Sequence, residues 1–182
     1  MSHKHHPFAT VILGIVFLLT LGTGLVHSQD GDMDTTTLEA NKALVHAFND
    51  ACNAQDFDAL DTLLTEDFVR HSSATPGVMV TSREAMKAFQ VANVVTFPDQ
   101  DITIEMMVAE GDLVAVYAML RGTMEGPMGD IPPTGGKIEA PFLGIFRIED
   151  GLIAELWVEW DNVYFLTQLG LFPPPGAAAS GE

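Results

Sequence analysis

The fold turns on residues 152–170, LIAELWVEWDNVYFLTQLG. Up to Trp160 the apolar residues recur at every second position, the period of a strand whose side chains alternate between two faces. After Asp161 the spacing of Val163, Phe165 (or Leu166) and Leu169 is helical. Asp161 stands at the junction as a good N-cap, because its carboxylate can accept amides that the first helical turn leaves without partners. In the strand, Leu152, Ala154, Leu156, Val158 and Trp160 form one wholly apolar face, and Ile153, Glu155, Trp157, Glu159 and Asp161 form the other. Parity does not decide which face lines a pocket, since a bulge near the strand end inverts it.

Working back along the chain, the period of two persists to Gln100. Ile102, Ile104, Met106 and Val108 alternate with polar or smaller neighbours, and Glu110-Gly111-Asp112 is a turn. Strands follow at 113–121 and 137–148, and the tight turn Glu149-Asp150-Gly151 leads into the fourth at 152–160. Residues 122–136, GTMEGPMGDIPPTGG, are too rich in Gly and Pro to be regular. Before Gln100 the pattern is helical. Thr36 and Glu39 form a capping box for a helix over 37–54 whose inner stripe holds Leu44, Val45, Phe48 and Cys52. Asp56 can cap a shorter helix with Ala59, Leu60, Leu63 and Leu64 on one stripe, and the DFVRH segment, 67–71, is a short strand ending at His71. Ser82 opens a third helix to about Thr96, with Ala85, Met86, Phe89 and Ala92 facing inward. Helices first and long antiparallel strands after make an α+β fold. The expectation is a curved antiparallel sheet whose concave side the N-terminal helices cover, leaving a cone-shaped apolar pocket for a small ligand.

The N-terminus has a different purpose. Met1 to His6 carries one lysine and three histidines, Phe8 to Val26 is apolar and uncharged, and Val26-His27-Ser28 offers a small-residue cleavage site. That order reads as a secretory signal over residues 1–28, with an uncleaved membrane anchor as the alternative. Residues 29–36 read as a disordered linker, 37–172 as the domain and 173–182 as a flexible tail. Losing Lys4 with the signal would take the net charge from −17 to −18. So acidic a surface repels phosphate backbones and anionic lipid, which argues against nucleic acid and against membrane docking by the mature domain. Cys52 is the single cysteine, so no internal disulfide can form, and its place on an apolar helix face reads as a buried, inert thiol. The mature chain keeps only His46 and His71, without metal-ligand spacing, and no metal is expected.

Among titratable groups, Asp161 and His71 stand out. Each has a plain structural reading, as a helix cap and as a surface histidine. Facing each other across a dry pocket they would be a proton-transfer pair. On the last strand, Glu155 and Glu159 could pair as acid and base, but exposure is the commoner state of strand carboxylates.

Four segments carry a family resemblance: NKALVHAFNDACNAQDFDALDTLLTEDFVRH at 41–71, FPDQDITIEMMVAEGDLVAVYAMLRGT at 97–123, IPPTGGKI at 131–138 and FRIEDGLIAELWVEWDNVYFLTQLG at 146–170. Over about 38–170 the chain resembles the SnoaL-like polyketide cyclases, also called ester cyclases, of the nuclear transport factor 2-like fold, a cystatin-like α+β barrel. The resemblance implies cofactor-free ring closure by intramolecular aldol condensation, with Asp161 as acid/base and His71 assisting in the pocket. It also implies a homodimer built by sheet packing. The chain departs from the family where Met124 and Leu156 stand at positions that often hold histidine. Two readings follow. As an enzyme, Asp161 and His71 would share one enclosed cavity. As a binder of an apolar small molecule, the chain would present a pocket lined by residues such as Phe48, Met106, Met107, Met124, Leu156 and Trp157, with Glu159 at its polar end; methionines adapt to varied apolar shapes.

Overall fold

The computed structural model describes residues 35–172, so the signal segment, most of the linker and the tail lie outside the described residues. Helix α1 spans Thr35–Asn53 and buries Val45, Phe48 and Cys52 of the expected stripe, together with Asn41 and Ala51, while Leu44 is half-buried. Its C-terminal end is pinned to the sheet. Asn53 exchanges two hydrogen bonds with the backbone of Ile102, both of 2.9 Å, and Asn49 donates a third to the Ile102 carbonyl. The Asp56 carboxylate accepts from the Ala59 amide, but what it starts is a single 3-10 turn, Ala59–Thr62. Leu64 already belongs to strand β1, Leu64–His71, which is therefore longer than the expected five residues.

Helix α2, Arg83–Thr96, begins where Ser82 accepts from the Ala85 amide at 3.1 Å. Its inner stripe runs through Met86, Phe89, Gln90 and Asn93. Ala92, expected inward, is exposed, because the stripe follows the 86–90–93 row. After α2 the chain folds back tightly. The amides of Glu125 and Gly126 both donate to the Thr96 carbonyl, and a Cβ on Gly126 would sit 1.8 Å from the Val95 carbonyl oxygen. Only glycine fits there.

Strands β2 (Asp101–Glu110), β3 (Leu113–Thr123), β4 (Lys137–Glu149) and β5 (Leu152–Trp160) form an antiparallel meander. Asp150 and Gly151, at φ +50° and +79°, make the two-residue β4–β5 turn in the left-handed conformation that matches strand twist. The sheet order is β1-β5-β4-β3-β2, and β1 runs parallel to β5. The curved sheet is thus mixed and unclosed, a correction to the antiparallel expectation. Its concave side faces α1 and α2, and helix α3, Asn162–Gln168, follows β5 directly.

Two bulges fix which side chains face inward. In β2 the register slips between Ile104 and Met106, so Ile102 and Ile104 face the core before it and Met107 and Ala109 after it. Met106 and Val108 are turned outward and lie 63% and 67% exposed. In β5 the extra residue is Ala154, after which Leu156, Val158 and Trp160 face inward and Glu155, Trp157 and Glu159 outward. The main core joins α1, α2 and the sheet around Phe68, Leu60, Leu64 and Ile153. A second cluster (Phe97, Met124, Ile138, Phe165, Leu169) seats α3 on the end of β4. Burying each of these larger side chains stabilises the fold by about 1.5–3 kcal/mol.

Candidate functional site

Helices α1, α2 and α3 and the inner faces of β2–β5 enclose a cavity of about 550 Å³, the size of a small-molecule site. Its wall is mostly apolar and aromatic: Phe48, Phe89, Phe97, Phe142, Phe146 and Trp160, with Ile102, Ile104, Leu156 and Val158 between them. Pro76 and Val78 line it from an exposed loop, 72–79, which marks the mouth. That loop is tied down at its base. The Glu159 carboxylate accepts from the Ser73 and Ala74 amides at 2.6 and 3.0 Å, and Asn162 donates to the Ala74 carbonyl at 2.7 Å. The Ser73 amide holds the Glu159 carboxyl below its ordinary pKa, with Ala74 and the charge of Arg70 adding to the effect.

The polar part of the wall consists of amides, the threonines Thr75 and Thr96, and one cation. Asn49, Gln90, Asn93, Gln100 and Asn162 reach the cavity, and Arg70 enters from β1. No Asp, Glu or His is among the described residues that line the cavity. Gln90 donates to the Cys52 sulfur at 3.3 Å, and burial pushes that thiol up to about 12, the inert state expected of it. Arg70 is 7% exposed. Its guanidinium lies 4.6 Å from the Phe89 ring centroid and 5.8 Å from that of Trp160, and Nη1 donates to the Thr75 hydroxyl at 2.9 Å. Two further donors in the wall, Trp160 Nε1 and Gln100 Nε2, are buried without an acceptor.

The residues singled out in the sequence are distributed otherwise. Phe48 lines the cavity, as does Leu156. Met106 is on the outer face, because of the β2 bulge, and Met107 packs into the main core. Met124 is fully buried in the second cluster, where the Thr134 hydroxyl donates to its sulfur. Trp157 and Glu159 sit on the outer face of β5, on the far side of the sheet from the cavity. His71 is opposite Trp157 in the parallel β1–β5 register, and the rings stack at 4.9 Å between centroids. Its Nε2 lies 2.7 Å from Glu155, which also binds Arg147 at 3.0 Å. Asp161 is exposed and caps α3, with Oδ1 accepting from the Val163 and Tyr164 amides at 2.8 and 3.0 Å. It borders a shallow depression of about 330 Å³ with Tyr117, Leu143 and Glu159. Asp161 and His71 therefore do not share the enclosed cavity, since neither lines it. Arg70 escaped notice, although strand parity could have found it: Phe68 marks the inward face, and Arg70 shares it two residues on. Among the described residues no group of three or more His, Cys, Asp and Glu side chains is placed to hold a metal.

The comparisons with known proteins agree with this architecture. A family model described as SnoaL-like polyketide cyclase matches residues 42–169. The chain belongs to the SnoaL-like polyketide cyclase family. Among solved structures, IdmH of Streptomyces antibioticus, a provisionally assigned polyketide cyclase, is 32% identical, with 71% of this chain and 98% of that one covered at a TM-score of 0.63. TsrD of Streptomyces laurentii is 30% identical over 74% of this chain and 97% of that one, at 0.65. A provisionally assigned SnoaL-like polyketide cyclase from Jannaschia sp. CCS1 is 27% identical over 74% and 94%, at 0.66. No curated protein matches. Family membership fixes the fold more firmly than the chemistry, since one fold hosts many sites.

Proposed function

We propose that this SnoaL-like protein holds an apolar small molecule in its cavity without using Asp161 and His71 as a proton-transfer pair. The observation that carries this reading is the composition of the wall: amides, threonine hydroxyls, aromatic rings and one guanidinium, with no carboxylate or imidazole among the described residues that line it. Proton transfer needs a base within hydrogen-bonding reach of the ligand, or one water away. The test is a titration of the mature protein with the neutral apolar dye Nile red, beside Val158→Trp, which projects an indole into the cavity. Saturable one-to-one binding that the variant loses supports the reading; binding unchanged in a folded Val158→Trp protein refutes it.

One observation favours a second reading, cofactor-free cyclisation or isomerisation of a carbonyl compound. Phe142 and Trp160 line both the cavity and the depression that Asp161 borders, so movement of these two rings would join the spaces. Wild type would then accelerate loss of the carbon-bound proton of 1,3-dicarbonyl compounds in heavy water, and Asp161→Asn would not. Equal rates in both would remove Asp161 from any chemistry.

The proposal extends to export with cleavage after Ser28, checked by N-terminal sequencing of secreted protein, and to a homodimer. Met106, Val108, Leu143 and Ile145 are exposed on one sheet face, the kind of apolar patch a second copy would cover. Light scattering at two-chain mass, falling to one-chain mass in Leu143→Glu, supports it; one-chain mass for wild type refutes it.

A further inference from the structure

The strongest asymmetry in the cavity is a cation without an anion. Five of the basic side chains, Lys42, Arg83, Lys87, Arg121 and Arg147, lie within 4 Å of a carboxylate. Arg70 is the one buried basic residue among those described, and it has no such partner there. Glu159 acts on it only at longer range, its own carboxylate being held by the Ser73 and Ala74 amides on the outer side of the loop. A guanidinium carries five N–H donors in a rigid fork and stays protonated in proteins. Here the one side-chain acceptor bonded to it is the Thr75 hydroxyl, and the Phe89 and Trp160 rings flank it. Burial pushes its pKa down, the direction expected when a charge is taken from water without a counterion close by. Such an arrangement is destabilising unless something in the site compensates it.

Aromatic rings border this cation, the Trp160 ring at 5.8 Å and the Phe89 ring at 4.6 Å from ring centroid to guanidinium carbon. A ligand with a planar, two-oxygen anion would accept from the guanidinium fork in the geometry that suits it best. The rest of the volume, between Phe48, Phe97, Phe146 and Leu156, is mostly apolar and suits an apolar body.

We propose that the cavity is specific for an apolar carboxylate, its head on Arg70 and its body among the aromatic side chains. This rests on reading the cavity as the ligand site, and it adds the ligand's charge and orientation. It also gives the protein's acidic surface a consequence. At a net charge of −17 the chain repels anions at long range, so affinity for a carboxylate has to arise inside the cavity at Arg70.

The test uses two ligands of the same shape, 2-naphthoate and its neutral amide 2-naphthamide, titrated calorimetrically into the mature protein at pH 7. The expected result is at least about tenfold tighter binding of the carboxylate, the size of a hydrogen bond to a charged group. Arg70→Gln is expected to abolish that preference, and Arg70→Lys, which keeps the charge but loses the fork, to retain part of it. If Arg70 served only to hold Thr75 and the two rings, the variants would lower stability and affect both ligands alike. Equal affinities in wild type overturn the inference without needing any variant. If Nile red binds and neither naphthyl compound does, the carboxylate inference fails and the cavity reading stands. If Nile red does not bind either, both fail.

Discussion

Asp161 offers the sharpest separation of a structural role from a chemical one. Its Oδ1 accepts two amides, at 2.8 and 3.0 Å, and so satisfies two of the four donors that open α3. The helix is seven residues long, and what it brings to the fold is Phe165 and Leu169, both buried in the second core cluster. Replacing Asp161 by alanine removes both bonds and leaves the amides to water, which costs about 1–2 kcal/mol for an N-cap aspartate. Asparagine keeps a side-chain oxygen in the same place and loses only the favourable charge at the helix N-terminus, about 0.5 kcal/mol. For a chain of this length 1 kcal/mol corresponds to roughly 2–4 °C in Tm, so Asp161→Ala should melt roughly 2–8 °C below wild type and Asp161→Asn within about 2 °C. Calorimetry and urea denaturation of all three proteins give the comparison, with the urea slope checked for constancy. An alanine variant as stable as wild type would refute the reasoning, as would an asparagine variant as unstable as the alanine one.

Three further outcomes are expected. Cys52, buried with its thiol pushed up to about 12, should not react with a thiol reagent at pH 8 until the protein unfolds; rapid stoichiometric labelling of native protein would contradict its burial. Glu159 has a lowered pKa, so its contribution to stability is complete above the unfolded-state value and lost as pH falls through the lower folded one. The amide proton shifts of Ser73 and Ala74 should therefore titrate below the ordinary glutamate range, and a midpoint at or above it would show that the carboxylate does not hold the loop. Gly126→Ala should destabilise by about 1–3 kcal/mol or more, because the new methyl meets the Val95 carbonyl rather than a side chain that can move; a neutral effect would mean that the 122–136 segment does not pass that close.

Much of the fold was legible because its signals are local. The Ser82 cap, the Glu149-Asp150-Gly151 turn and the alternation of β3 and β5 act through residues a few positions apart, and the elements appear within a few residues of where the spacing put them. The parallel pairing of β1 with β5 joins residues more than 80 positions apart, and nothing in either segment announces it. Bulges were the other obstacle. One extra residue at Glu105 turned Met106 from expected ligand contact to exposed surface, and one at Ala154 decided the faces on either side of it. The site itself was half visible. The Asp161 cap and the Phe48 stripe could be read directly, whereas a lone arginine in a short strand ordinarily reads as surface, although alternation from Phe68 sends Arg70 inward and His71 outward.

The most direct test of whether the cavity is the working site is to see where a bound molecule sits. With the Ile, Leu and Val methyl groups labelled, NMR contacts between protein and bound 2-naphthoate or Nile red should come from Ile102, Ile104, Leu156 and Val158, which line the cavity. Contacts from Val108, Leu143 and Ile145 instead would put the ligand on the outer face of the sheet and contradict the account.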